Sequence, residues 1–185
     1  MTKLGIIANP ASGKDIRRLI SSGSVFTNQE KVNIVVRMIS ALDCAKVDEV
    51  WLMPDPGNLA RQVIKQIECE HTQVNILKLP FVMGNYKDTQ RAVEIMVDQQ
   101  FDLIIVMGGD GTSRIVAKHC QDIPIIAIST GTNNVFPQMV EGTLAGMAAA
   151  AAIKGQLDKE ECASRAPILE LRNEDGLIDI ALVDL

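Results

Sequence analysis

The sequence predicts an α/β domain built on a doubly wound, mostly parallel β-sheet. Short apolar runs alternate with longer helical patterns along most of the chain, as expected for successive β-α units. Hydrophobic residues make up 47% of the 185 residues, but aromatic residues only 3%. The core must therefore consist of aliphatic side chains, which suits strands that helices cover on both faces.

Five short apolar runs predict the strands, because each is followed by residues that favour turns. KLGIIA precedes NPASGK, VWLM precedes PDPGN, and VNILKL precedes a Pro-Phe segment. LIIVM runs into GGDGT, and PIIAI runs into STGTNN. In chain order, the predicted strands are residues 3–8, 50–53, 74–79, 103–107 and 124–128.

Amphipathic patterns between these runs predict the helices. The clearest covers residues 29–43, where the apolar residues recur at helical spacing on one face. Less regular patterns predict further helices over residues 57–69, 86–100, 112–120 and 139–155. Helices between consecutive strands imply right-handed crossovers and hence a parallel sheet.

The chain changes character after the Ala-rich helix. A charged connector is followed by two alternating runs around an Asp-Gly turn at Asp175 and Gly176, which predicts a β-hairpin. We expect residues 1–160 to form the α/β domain and residues 161–185 to open a truncated, β-rich second domain. Because a two-stranded hairpin is marginal alone, the alternative is that it packs on the first domain or on another copy.

Charge and hydropathy exclude two classes of partner. The chain has 18 basic and 23 acidic residues, a formal net charge of −5, and no basic cluster. This argues against nucleic acid and anionic membranes as partners. There is also no apolar run of membrane-spanning length and no signal-peptide pattern at the start. We therefore expect a cytoplasmic protein, and we expect it to be a homo-oligomer.

The four cysteines predict no metal or disulfide site. Cys44, Cys69, Cys120 and Cys162 are far apart in the sequence and form no CxxC pair. We interpret them as reduced cysteines that mostly serve packing.

Polar loops after the strands are the candidate ligand-binding segments, because ligands of open α/β sheets bind beyond the carboxyl ends of the strands. Asn9, Ser12, Gly13 and Lys14 follow the first strand and offer amide, hydroxyl, backbone N–H and ammonium groups. The STGTNN loop, residues 129–134, offers further hydroxyls and amides, one of which could instead cap the next helix. The PDPGN segment is interpreted as a turn and helix start.

The GGDGT loop has the physical properties of a phosphate-binding loop without matching a standard motif. A Walker A loop would need glycine at Ala8, and a GxGxxG fingerprint would need glycine at Arg114. Glycines nevertheless let the backbone approach an anion, and the loop leads into a helix N-terminus. Asp110 is the exception in such a loop. It could hold Mg²⁺, act as a general base, or simply cap the helix.

Three segments together carry a resemblance to a known family. They are NPASG after the first strand, GGDGT after the fourth and GTNNVFP after the fifth. In this combination the chain resembles the superfamily of NAD kinases, diacylglycerol and sphingosine kinases and, more remotely, 6-phosphofructokinases. MPDPGN and GTNNVFPQMVEGTLAG are most similar to the ATP-NAD kinase-like branch that includes acetoin-catabolism protein X. The resemblance spans residues 3–185 and implies a nucleotide-binding α/β domain followed by an all-β domain.

The resemblance implies transfer of the terminal phosphoryl group of ATP, or of polyphosphate, with Mg²⁺. In NAD kinases the acceptor is the 2′-hydroxyl of NAD, so NAD and ATP are the expected ligands. Asp110 would be the catalytic aspartate, and no separate protein metal site is expected. The expected nucleotide-binding residues are Asn9, Ser12, Gly13, Gly108, Gly109, Gly111, Thr112, Thr130, Gly131, Thr132, Asn133 and Asn134.

Two departures from the family pattern leave the acceptor and the activity open. NAD kinases carry an Asn-x-Gly-x-Leu-Gly-Phe segment after the fifth strand, whereas this chain has GTNNVF. The family also builds part of its site from the second domain, so an inactive fragment is one reading of this chain. The alternatives are a lipid or small-alcohol kinase and a non-catalytic nucleotide-sensing module linked to acetoin-type catabolism.

Overall fold

The computed structural model describes residues 1–10, 27–131, 134–157, 162–174 and 176–183. Its centre is a five-stranded sheet in the order β3-β2-β1-β4-β5, and every neighbouring pair is parallel. The strands are β1 (Lys3–Ala8), β2 (Glu49–Leu52), β3 (Gln73–Ile76), β4 (Leu103–Gly108) and β5 (Ile125–Ser129). All five predicted strands are present, and the strand order reverses between β1 and β4.

Within the described residues, four helices connect the strands of this sheet and a fifth follows β5. They are α1 (Asn28–Cys44), α2 (Leu59–Gln66), α3 (Tyr86–Asp98), α4 (Asp110–His119) and α5 (Gly142–Ile153). Each overlaps a predicted helix. Helix α5 begins three residues later than predicted because the Glu141 side chain caps it and accepts from the N–H groups of Thr143 and Leu144.

The helices cover both faces of the sheet, which confirms the doubly wound class. Alternate strand residues such as Ile6 and Ile105 pack with α1, α2 and α5 on one face. Residues between them in the strands, such as Ile7 and Ile104, pack with α3 and α4 on the other. Strands that are buried on both faces explain why their sequences are almost continuously apolar.

Helices α1 and α5 approach so closely that two glycines are required between them. A Cβ atom on Gly142 would lie 2.7 Å from the carbonyl oxygen of Ile34, and one on Gly146 would lie 2.5 Å from that of Met38. Both distances are far below van der Waals contact. The small residues of α5 therefore serve backbone-to-backbone packing.

The predicted hairpin is present as β6 (Leu169–Asn173) and β7 (Gly176–Ala181), which pair antiparallel. It packs on α4 through Asp179, whose carboxylate accepts hydrogen bonds from Lys118 at 3.0 Å and from Arg114 at 2.5 Å. These two cations and the N–H of Ile180 lower the pKa of Asp179 to about 2. The hairpin is thus attached to α4, one of the helices that cover the first sheet. We propose the domain boundary between residues 160 and 161 only because the character of the sequence changes there.

No helix in the described ranges has both the length and the apolar character that a bilayer span requires.

Candidate functional site

The loops after β1 and β4 meet at the carboxyl edge of the sheet, where the strand order reverses. The side-chain amide of Asn9 donates to the hydroxyl of Thr112 at 3.0 Å, and the backbone N–H of Asn9 donates to the carbonyl of Met107 at 3.1 Å. The strand order therefore brings together two segments that lie about a hundred residues apart in the sequence, as predicted for a ligand site in this class.

Helix α4 begins with an open N-terminus. Gly109 is its N-cap residue and, as a glycine, provides no side-chain cap for the first turn. The backbone N–H groups at such a start lack intrahelical partners and carry the positive end of the helix dipole. They can therefore bind an anion such as a phosphate group.

The three glycines of the GGDGT loop have different roles. A Cβ on Gly108 would lie 2.8 Å from Thr112 side-chain atoms, and one on Gly109 would lie 2.9 Å from the Oδ1 atom of Asn134. Packing requires glycine at Gly108, whereas a Cβ on Gly109 would displace the end of the Asn134 side chain. A Cβ on Gly111, by contrast, would meet no neighbour within 4 Å among the described residues. Gly111 thus has no packing constraint from the described part of the chain, which leaves space in front of the helix start.

Asp110 is the first residue of α4, and its carboxylate is directed at the loop after β5. It accepts hydrogen bonds from the backbone N–H of Phe136 at 2.8 Å and from that of Val135 at 3.1 Å. The carboxylate does not cap its own helix, so the capping role considered above is wrong. Asp110 instead joins the phosphate-type loop to residues 135–136.

The loop after β5 is held mainly by its own polar groups. The hydroxyl of Ser129 donates to the carbonyl of Gly131 at 2.6 Å and accepts from the side-chain amide of Asn134 at 2.8 Å. The N–H of Thr130 donates to the carbonyl of Gly108 at 3.3 Å, which ties this loop to the GGDGT loop. Asn134 therefore does not cap α5, and nucleotide contacts by Thr130, Gly131 and Asn134 remain a prediction.

A cleft of about 340 Å³ opens beside the start of α4. Three of the predicted residues, Asn9, Gly111 and Thr112, line it, whereas Asp110 does not. Its other walls come from the segments after β2 and β3, and from the exposed side of α4. They comprise Pro10, Met53, Pro54, Asp55, Pro56, Gly84, Asn85, Tyr86, Asp88, Thr89, Arg114 and Ile115. The predicted residues therefore lie on two sides of the start of α4. Asn9, Gly111 and Thr112 line the cleft, whereas the carboxylate of Asp110 contacts the loop after β5.

The segment after β2 contributes more to this cleft than the sequence indicated. The carboxylate of Asp55 accepts from the backbone N–H of Leu59 and of Ala60, both at 3.0 Å. Asp55 thus satisfies the first turn of α2, while Asn58 has a left-handed backbone and makes no side-chain cap. The helix-start interpretation of PDPGN is therefore correct, and the same segment also lines the cleft.

The turn before α3 is a further part of the cleft that sequence reasoning missed. Buried Asp88 accepts hydrogen bonds from the backbone N–H of Gly84 at 2.6 Å and of Met83 at 3.0 Å. These contacts fix the turn that presents Asn85 and Tyr86 at the cleft. The sequence does contain a signal for this turn, because it follows β3. Ligands of open α/β sheets bind beyond the carboxyl ends of the strands, and the same rule selected the other loops.

Four predicted residues, Ser12, Gly13, Thr132 and Asn133, lie outside the described residues, as does Lys14. Within the described ranges, no three His, Cys, Asp or Glu side chains are grouped in a way that could hold a metal ion. All four cysteines are free thiols, with Cys120 buried and Cys44 and Cys162 exposed. The packing interpretation therefore fits Cys120 but not the two exposed cysteines.

The fold and the site together define an α/β protein with a phosphate-type helix start at the reversal of its strand order. Comparison with known families assigns the chain more specifically. The sequence model of the ATP-NAD kinase N-terminal domain matches residues 4–157. The chain therefore belongs to the ATP-NAD kinase family, as its motifs indicated.

A curated relative gives the same assignment. The chain is 37% identical over 191 aligned residues to acetoin catabolism protein X of Cupriavidus necator. The alignment covers 98% of this chain and 53% of the relative, so the chain spans about half the length of the curated relative it matches.

Proposed function

We propose that this chain carries the nucleotide-binding part of a phosphotransferase that moves the terminal phosphoryl group of ATP, or of polyphosphate, to the 2′-hydroxyl of NAD. The observation that carries the proposal is the paired arrangement at the start of α4. An uncapped helix N-terminus with the unencumbered Gly111 lies on one side, and a carboxylate, Asp110, lies on the other. Membership in the ATP-NAD kinase family supports the reaction class.

The phosphate groups would bind where the cleft meets the helix start. The open N–H groups of α4 and the side chains of Asn9 and Thr112 supply donors there. The remaining cleft walls combine charged and polar side chains with apolar ones, Met53, Tyr86 and Ile115 among the latter. These apolar side chains suit the flat ring of a nucleoside, so the cleft can take a nucleotide with its phosphates directed at Gly111.

Asp110 would act on the acceptor hydroxyl or on the phosphate-bound metal ion. Each oxygen of an ionised carboxylate has about two acceptor positions. The bonds to Val135 and Phe136 therefore leave capacity for a further donor, such as a hydroxyl group. These bonds also orient the carboxylate, so that it can receive the hydroxyl proton as the phosphoryl group is transferred.

The donor set fits a Mg²⁺ ion that arrives with the nucleotide. Mg²⁺ is commonly held by one or two carboxylates together with substrate phosphates and water, and it needs no cage of protein ligands. The described residues contain no such cage, and Asp110 is the carboxylate at the helix start. When bound, Mg²⁺ would neutralise charge on the phosphates.

The direct test is an assay of the full-length protein with ATP, Mg²⁺ and NAD, in which NADP formation is measured. Asp110→Asn should lose most turnover and keep nucleotide binding. Asp122→Asn, an exposed aspartate beyond the end of α4, is the matched control and should behave as the unchanged protein. Normal turnover in Asp110→Asn would refute the role of the carboxylate. A parallel assay with polyphosphate identifies the donor.

One observation favours a second candidate, a nucleotide sensor without turnover. Asp110 is already bonded to residues 135–136, so binding at the helix start could be transmitted to that loop without chemistry. The relative's name places that protein in acetoin catabolism. ATP or NAD binding by the full-length protein, with no NADP formed under any donor, would favour the sensor and exclude NAD as the acceptor.

We further propose that the protein is cytoplasmic and forms a homo-oligomer. Cell fractionation tests the location, and light scattering of the purified protein tests the oligomeric state.

A further inference from the structure

Lys31 is a completely buried lysine next to the candidate site. Its side chain is 0% exposed, and it lies on the first turns of α1, after the N-cap residue Thr27. The ammonium group donates to the backbone carbonyls of Asn9 and Pro10, both at 3.0 Å. Lys31 therefore holds the point at which the chain leaves β1.

This position is unfavourable for a lysine on general grounds. Lysine is almost never fully buried, because removal of its charge from water is costly. The start of a helix is also the positive end of its dipole, which disfavours a cation there. An apolar residue would suit the buried face of α1, where Val32 and Val35 also lie. The lysine must therefore supply an interaction that an apolar residue cannot.

Through Asn9, the hydrogen bonds of Lys31 connect α1 with α4, the helix that begins in the GGDGT loop. The carbonyl of Asn9 accepts from Lys31, the N–H of Asn9 donates to Met107, and its side-chain amide donates to Thr112. Asn9 is thus fixed from α1, from β4 and from α4. Pro10 follows and has no N–H, so its carbonyl is the backbone group through which it can be hydrogen-bonded.

We propose that Lys31 is a positioning residue for the nucleotide site. Its ammonium group fixes the carbonyls of Asn9 and Pro10, and this holds the Asn9 amide on Thr112 and sets the wall of the cleft beside Gly111. The ligand is a nucleoside triphosphate, and to that extent the inference rests on the proposed function. Lys31 acts through Asn9 and not by touching the ligand.

The experiment replaces the ammonium group and keeps the length of the side chain. In the full-length protein, Lys31→Met should weaken ATP binding about tenfold in titration calorimetry. Val35→Ala, which removes buried volume one turn further along α1, is the control for destabilisation. It should bind ATP as the unchanged protein does. Equal affinity in Lys31→Met, or an equal loss in Val35→Ala, would overturn the proposal.

A double-mutant cycle tests whether the effect passes through Asn9 and Thr112. Thr112→Val removes the hydroxyl that accepts from Asn9. If Lys31 acts through this contact, the double variant should bind ATP about as weakly as the weaker single variant. Losses that multiply would contradict the pathway. Should Lys31→Met fail to fold, Lys31→Leu, which also removes the donor, enters the same cycle with the same criteria.

A measurement without ligand separates this proposal from the proposed function. In the ligand-free protein, the NMR signals of the Asn9 side-chain amide should shift in Lys31→Met and stay unchanged in Val35→Ala. An unchanged Asn9 signal in Lys31→Met refutes the positioning role even if ATP binds. Absence of ATP binding in the unchanged protein, together with a shifted Asn9 signal, refutes the nucleotide assignment and leaves the positioning role in place.

Discussion

The Oδ1 atom of Asp110 lies 2.8 Å from the backbone nitrogen of Phe136 and accepts its N–H. This bond, with those to Val135, joins the start of α4 to the loop after β5. Asp110→Ala removes the acceptor, and we expect amide hydrogen exchange at residues 135 and 136 to accelerate about tenfold to a hundredfold, since bonds to charged groups contribute about 1.5–3 kcal/mol. Exchange measured by NMR checks this. Asp110→Asn keeps an acceptor oxygen and should retain most of the protection, so equal exchange in both variants would count against the contact.

Gly111→Ala should weaken ATP binding and leave the fold intact. Among the described residues, a methyl group there meets no atom within 4 Å, and alanine favours a helix over glycine by about 1 kcal/mol. The same methyl group would obstruct a phosphate at the helix start. Calorimetric titration with ATP and urea unfolding measure the two effects separately. A variant that binds ATP normally would place the phosphates elsewhere.

Gly146→Ala, by contrast, should lower the stability of the fold and leave ATP binding unchanged. Its methyl group would lie 2.5 Å from the carbonyl oxygen of Met38, so α1 and α5 must separate. We expect a loss of about 1–3 kcal/mol in the free energy of unfolding, as found for overpacked sites. Met147→Ala changes an exposed side chain on the same helix and should alter the stability by less than about 0.5 kcal/mol. Similar values for the two variants would refute the close packing.

The contact of Asp179 with Lys118 and Arg114 should make the attachment of the hairpin depend on pH. The folded pKa of about 2 lies below the ordinary value of 3.8, so the contact stabilises the fold above pH 4 and is lost as the pH falls towards 2. The difference in unfolding free energy between the unchanged protein and Asp179→Asn should therefore shrink over that range. Urea unfolding at several pH values measures it. A difference that is constant with pH would exclude the ion pair as its source.

The cysteines should divide into fast and slow classes towards a thiol reagent. Cys44 and Cys162 are exposed, whereas burial raises the pKa of the thiols of Cys69 and Cys120. The thiolate is the reactive form, so these two should react slowly at pH 7.5. The double variant Cys44→Ser and Cys162→Ser should lose the fast phase of colour release with Ellman's reagent. A fast phase that persists would mean that Cys69 or Cys120 is accessible.

The sequence allowed prediction of the architecture because its signals are local. Each strand is a buried aliphatic run that ends in a turn, and the rule that ligands bind at the carboxyl edge selected Asn9 and the GGDGT loop before any contact was known. The Asp175-Gly176 turn predicted the hairpin in the same local way. These elements needed no knowledge of what lies across the sheet.

The contacts that organise the site depend on distant partners, and so the sequence could not reveal them. The orientation of Asp110 depends on residues 135–136, and a cap was an equally sound local expectation. Lys31 stood in an amphipathic helix as one charged residue among several, and its burial depends on Asn9 and Pro10. Asp88 lies in the first turn of α3, and its role in fixing the turn at Met83 and Gly84 depends on contacts that the sequence does not reveal.

The reversal of strand order between β1 and β4 also bears on how the protein is made. Strand β1 is synthesised first but pairs on one side with β4, which follows β2 and β3 in the chain. During synthesis on the ribosome, one edge of the central strand β1 therefore stays unpaired until β4 is made. Asn9 cannot contact Thr112 until α4 has emerged. The proposed nucleotide site is therefore complete only late in synthesis, and a nucleotide bound there would favour chains in which β4 has already paired with β1.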